Sequence, residues 1–79
     1  MKIEVLGPGC VKCKKIYEIC EETLKELGQE AELVKVEKID DIMKYGILMT
    51  PGLIVNGKVL SSGRVPGREE IKKWLSQNL

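Results

Sequence analysis

At 79 residues the chain has room for one domain, spanning 1–79, and a core of that size supplies only about 3 to 5 kcal/mol of stability. Thirteen Lys and Arg against twelve Asp and Glu leave a net charge of +1, a balance that argues against nucleic acid, a membrane surface or a polyanionic substrate as partner. No run approaches the roughly 18 apolar residues of a membrane span, and Met1-Lys2-Ile3-Glu4 lacks the apolar stretch of a secretion signal, so a cytoplasmic location is expected.

In chain order, Ile3 to Leu6 reads as a first strand, broken by Gly7-Pro8-Gly9. Cys10-Val11-Lys12-Cys13 follows, at the place where that strand hands over to a helix. From Val11 to Leu27, Ile16, Ile19, Cys20, Leu24 and Leu27 recur at helical spacing with Lys and Glu between them, and Gly28 stops the helix. Ala31, Leu33, Val34 and Val36 make a second strand whose alternation does not decide which face is buried. Asp40 to Tyr45 reads as a short helix with its acidic residues at the N-terminal end, where the helix dipole favours them. Leu53-Ile54-Val55 and Lys58-Val59-Leu60 flank Asn56-Gly57, the strongest short-range signal for a tight antiparallel hairpin. Arg68 to Leu79 closes the chain as a helix with Ile71, Trp74, Leu75 and Leu79 on one stripe.

The order is therefore β-α-β-α-β-β-α, an α/β chain that builds a four-stranded mixed sheet flanked by helices and sets Cys10 at the carboxyl end of the first strand. A cysteine at a helix N-terminus meets unpaired backbone N–H groups and the positive end of the dipole, both of which favour the thiolate, the form that attacks disulfides and binds metals. Three cysteines, an odd number, suit a catalytic or metal site better than a structural disulfide framework. Two chemistries follow from the pair. One is a redox dithiol; the other is a metal-handling module in which Cys10 and Cys13 hold a soft ion or share Zn²⁺ with a partner. A closed zinc site needs four ligands, and beyond the pair only Cys20 remains, with no His in the chain. Cys20 itself lies on the apolar stripe of its helix and reads as core. The absence of His and Phe beside abundant Glu, Lys, Ile and Val matches the composition of heat-adapted proteins.

This element order, the CxxC after the first strand and Met49-Thr50-Pro51 just before the hairpin together resemble the thioredoxin fold over essentially the whole chain. The nearest likeness is to the short thioredoxin-like and glutaredoxin-like redox proteins of archaea and bacteria, with GPGCVKC at the front and TPGLIVNGKVLSSGRVPGREEIKKWL at the back. The resemblance implies a protein disulfide oxidoreductase without bound cofactor. Cys10 would be its nucleophile, Cys13 the resolving thiol, Pro51 the cis-proline facing the disulfide, and Thr50 a wall of the substrate groove. The implied partners are disulfide-containing proteins and an electron donor, either a thioredoxin reductase-like enzyme or glutathione. The chain departs from that pattern in several places. Gly9 stands where an aromatic residue commonly precedes the first cysteine, Val11-Lys12 fills the motif, the first strand carries no aspartate, and Ser61-Ser62-Gly63-Arg64 follows the hairpin where a glutaredoxin shows Gly-Gly and then Asp. Arg64 and Arg68 are candidates to receive a carboxylate, and Lys12, Lys14 and Lys15 to act on Cys10 by charge. The ferredoxin-like plan of metal chaperones begins β-α-β-β, which the second helix here interrupts.

Overall fold

The computed structural model describes residues 1–9, 11–46 and 49–77. Its elements follow the expected order: β1 (Lys2–Leu6), α1 (Val11–Leu27), β2 (Glu32–Val36), α2 (Ile39–Met43), β3 (Gly52–Val55), β4 (Lys58–Ser62) and α3 (Arg68–Gln77). They form one four-stranded sheet in the order β2-β1-β3-β4. β1 pairs in parallel with β2 through the α1 crossover and antiparallel with β3, and β3 pairs antiparallel with β4.

β1 lies in the interior of the sheet with helices over both faces, so four consecutive residues, Ile3 to Leu6, are buried. Alternation along the strand sends Ile3 and Val5 to one side, against Ile16, Ile19, Cys20 and Leu24 of α1 and Ile71 and Leu75 of α3. Leu6 goes to the other side, where Ile54 of β3 and Ile42 of α2 enclose it. The same two-sided cover explains the imperfect alternation of β2. Leu33 packs toward α1 and α3, whereas Val36 packs toward α2, so both faces of an edge strand collect apolar residues.

The hairpin turns at Asn56 and Gly57, with φ of 51° and 81°, the left-handed pair that a type I′ turn requires. Asn56 also ties β1 to the hairpin: the Lys2 amide donates to its side-chain oxygen at 2.9 Å, and its own amide donates to the Lys2 carbonyl at 2.8 Å. These bonds carry β1 one residue earlier than its apolar run. β4 continues two residues past Leu60, because the backbone ladder does not need apolar side chains; a register shift between Leu53 and Ile54 brings Ser61 opposite Leu53 and buries it. α2 is shorter than expected, starting at Ile39 and giving way to turns at Lys44.

α1 ends where the Gly28 and Gln29 amides donate back to the Lys25 and Leu24 carbonyls at 3.1 and 3.0 Å. Its buried Thr23 returns its hydroxyl proton to the helix, donating to the Ile19 carbonyl at 2.8 Å. α3 docks on α1 through Ile71 and Leu75, with Trp74 partly buried beside them, and through exposed ion pairs from Arg68 to Glu22 and Glu26 and from Lys72 to Glu26 at 3.3 Å. The Arg68 and Lys72 hydrogen bonds hold the Glu26 carboxyl below its ordinary pKa. Such solvated pairs orient more than they stabilise, so the apolar stripe fixes the helix. Leu79, expected on that stripe, lies outside the described residues.

Ile71 is fully buried where α3 meets α1 and the sheet. Ile71→Ala is expected to cost about 2 to 5 kcal/mol, comparable with the about 3 to 5 kcal/mol that a core this small supplies. Circular dichroism of the variant through a urea titration at 25 °C should show a population already largely unfolded without denaturant.

Candidate active site

The site lies where β1 leaves the sheet. The Gly7 amide donates to the Val36 carbonyl at 2.9 Å, which holds the chain against β2 for one residue beyond the strand. Three residues later the motif begins, and α1 starts at Val11. Cys10 lies outside the described residues, so the geometry that can be stated is that of its surroundings.

Cys13 sits in the first turn of α1 with only 6% of its surface exposed, on the edge of the main apolar cluster. Gly7 lies directly against it: a β-carbon built on Gly7 would overlap Cys13 Sγ and would stand 3.8 Å from Thr50 Cβ. Cys13, Gly7 and Thr50 therefore converge from α1, the end of β1 and the segment before β3. Thr50 is exposed and Pro51 is fully buried; the peptide bond between them is cis, and the Pro51 carbonyl accepts from the Gly63 amide at 2.9 Å. Behind Cys13 a cavity of about 40 Å³ is lined by Val5, Gly7, Gly9, Lys14, Lys35 and Glu37.

Two exposed apolar residues neighbour these positions in the chain, with no site role assigned to them from the sequence. Val11, inside the motif, is 84% exposed, and Met49, two residues before Pro51, is 63% exposed and lies over Gly63. The signal for Val11 was its position, since it falls off the buried stripe of α1; for Met49 it was adjacency to Thr50-Pro51. Lys12, Lys14 and Lys15 are exposed. Arg64 and Arg68 prove to be engaged by the chain's own carboxylates: Arg64 binds Glu70 through two nitrogens at 3.2 and 2.9 Å, and Arg68 binds Glu22 and Glu26.

Glu4, the acidic residue of β1, has a partner of its own. It is buried on the α2 side with Leu6, and the Tyr45 hydroxyl donates to its carboxylate. That bond, reinforced by burial and the charge of Glu4, raises the Tyr45 pKa above its ordinary value. Their separation of 41 positions in sequence left no signal for the pairing. Among the described residues, no three His, Cys, Asp or Glu side chains gather as a metal site. Nor is any helix among them long and apolar enough to cross a membrane.

A buried thiol, Cys13, set beside Gly7 and Thr50 at the carboxyl end of β1 in an α/β sheet of this order, fits a small thiol–disulfide oxidoreductase. The chain belongs to the thioredoxin family: the family's thioredoxin domain matches residues 1–76. It is 43% identical over 76 residues to a thioredoxin of Methanothermobacter thermautotrophicus, covering 96% of this chain and 99% of that protein. It is 36% identical over 77 residues to a thioredoxin of Methanocaldococcus jannaschii, covering 98% and 88%. A probable thioredoxin of Methanothermobacter marburgensis is 34% identical over 83 residues, covering 100% and 96%.

Cys20, fully buried on α1, is not in a disulfide, and its thiol is pushed up to about 12 from an ordinary value of 9.0 by desolvation. Above pH 9.0 an unfolded chain releases this proton while the folded chain keeps it, so the contribution is complete below pH 9.0 and is lost as pH rises toward about 12. The urea midpoint of the native protein should therefore fall more steeply between about pH 8 and about pH 11 than that of Cys20→Ala. The variant should lose about 1 kcal/mol at neutral pH and retain disulfide reductase activity. Parallel pH profiles would contradict a buried neutral thiol.

Proposed function

We propose that Cys10 and Cys13 form the redox couple of this oxidoreductase and that it reduces disulfides in proteins. The observation that carries this reading is the seat of Cys13: a buried thiol in the first turn of α1, three residues after Cys10 and beside Gly7 and Thr50. In the forward reaction the Cys10 thiolate attacks one sulfur of a substrate disulfide. A mixed disulfide forms, and the other substrate sulfur leaves as a thiolate that takes up a proton. The Cys13 thiolate, its proton given to solvent, then attacks Cys10 Sγ. The mixed bond breaks, the second substrate thiol is released, and the Cys10–Cys13 disulfide remains, so two electrons have passed to the substrate. A thioredoxin reductase-like enzyme or glutathione restores the dithiol.

In this reading Cys10 is the nucleophile because it immediately precedes Val11, where α1 and its unpaired N–H groups begin, whereas Cys13 is covered. Thr50 and Pro51 form the wall along which an extended substrate segment lies, with strand-like pairing available at the Thr50 backbone. Val11 and Met49 supply apolar contact on either side. The chain acts as one thioredoxin-like domain over 1–79, in a reducing compartment such as the cytoplasm. Glutathione is the weaker candidate donor on one specific ground: the guanidinium groups of Arg64 and Arg68, available in principle to its carboxylates, are paired to Glu70, Glu22 and Glu26.

Trapping from cell extract tests the assignment. Cys13→Ser leaves Cys10 able to attack but removes the resolving thiol, so mixed disulfides should accumulate on non-reducing gels and dissolve with reductant. Cys10→Ser should trap nothing. Equal capture by both variants would show that Cys10 is not the nucleophile.

A further inference from the structure

We propose that Gly7 is a positioning residue for the resolving step, because the missing β-carbon at the end of β1 is the seat that Cys13 Sγ occupies. The proposal rests on the reading of Cys13 as the resolving thiol. A β-carbon at Gly7 would overlap the Cys13 sulfur outright and would stand 3.3 Å from Cys13 Cβ, with Thr50 Cβ at 3.8 Å beyond. A methyl group at Gly7 therefore requires the Cys13 side of the contact to give. Gly7 is buried and held to β2 by its amide bond to the Val36 carbonyl, and Cys13 is packed into the cluster that joins α1 to the sheet.

The backbone does not demand glycine here. Gly7 is not among the glycines with positive φ, so alanine can adopt its conformation, and contact with the sulfur is what a substitution changes. With a methyl group in place, either the first turn of α1 moves off the sheet or the Cys13 thiol turns to another rotamer. Both displace the Cys13 sulfur, the atom that carries the resolving step in the proposed reaction. A displacement of about 1 Å in a reacting atom can cost on the order of 100-fold in rate.

The probe is dithionitrobenzoate, added in one equivalent to the fully reduced protein. Cys10 attack releases one thionitrobenzoate and leaves the other on Cys10; Cys13 attack on Cys10 Sγ releases the second and closes the Cys10–Cys13 disulfide. In Gly7→Ala the first release should keep its native rate, while the second should slow about 10- to 100-fold. A second release at the native rate overturns the proposal, provided that Cys13→Ser fails to show it. If Cys13→Ser still releases the second equivalent quickly, the resolving role itself is wrong, and the proposal falls with it.

A double-mutant cycle in urea tests the steric part apart from the chemistry. The stability lost in Gly7→Ala should largely return in Gly7→Ala/Cys13→Ala, compared with Cys13→Ala alone, since the clash needs the sulfur. The same double variant decides the matter if Gly7→Ala alone fails to fold: recovery of the fold supports the contact, and no recovery overturns it.

Discussion

The confinement of β1 is the constraint on which the rest depends. It is paired along both edges, to β2 and to β3, and covered on both faces, so it can neither slide nor tilt without breaking a ladder or opening one of the two apolar clusters. Its carboxyl end is consequently held by a strand on either side and by packing on both faces. Gly7 extends that order by one residue through its bond to Val36, and the motif follows at once. A small domain with little stability to spare can still hold a precise site if the site is attached to an element paired and covered on every side.

Burial of polar groups follows the same logic. Among the described residues, three polar ones are buried with the apolar ones: Glu4, Thr23 and Ser61. Thr23 is satisfied by its own helix, and Glu4 by Tyr45, which links β1 to the turn after α2. Without that phenol the buried carboxylate would lose the hydrogen bond that satisfies it, a loss of the kind that destabilises a fold. Cys20, by contrast, needs no partner, because a neutral thiol behaves as a small apolar group. Cys13, beside Gly7 at the end of β1, and Cys20, enclosed in the core, therefore differ in environment as well as in spacing.

Much of this was legible in the sequence because local signals agreed with the global fold. Gly28 closes α1 and Asn56-Gly57 turns the hairpin where each was expected, and the stripe through Ile16, Ile19, Cys20 and Leu24 is the one that packs. What escaped the reading depends on distance in sequence. Tyr45 meets Glu4, Arg64 meets Glu70, and Gly7 meets Cys13 through packing that no period of 2 or 3.6 encodes. Gly7 in particular read as punctuation between strand and motif. In three dimensions it is the surface against which a thiol rests. The two-sided character of β2 was hidden for a related reason, since alternation reports a buried face only when the opposite face meets water.

The central claim is that a single dithiol pair, placed by β1 and the start of α1, carries the electrons while the third cysteine stays inert in the core. The most direct test is a redox titration of the intact protein in dithiothreitol buffers, with each poise quenched by alkylation and every cysteine-bearing peptide weighed. The account predicts one two-electron transition in which Cys10 and Cys13 become linked together, with Cys20 remaining a thiol at every poise and alkylated only after denaturation. A bond that includes Cys20, or oxidation that proceeds only between two copies of the chain, would contradict it.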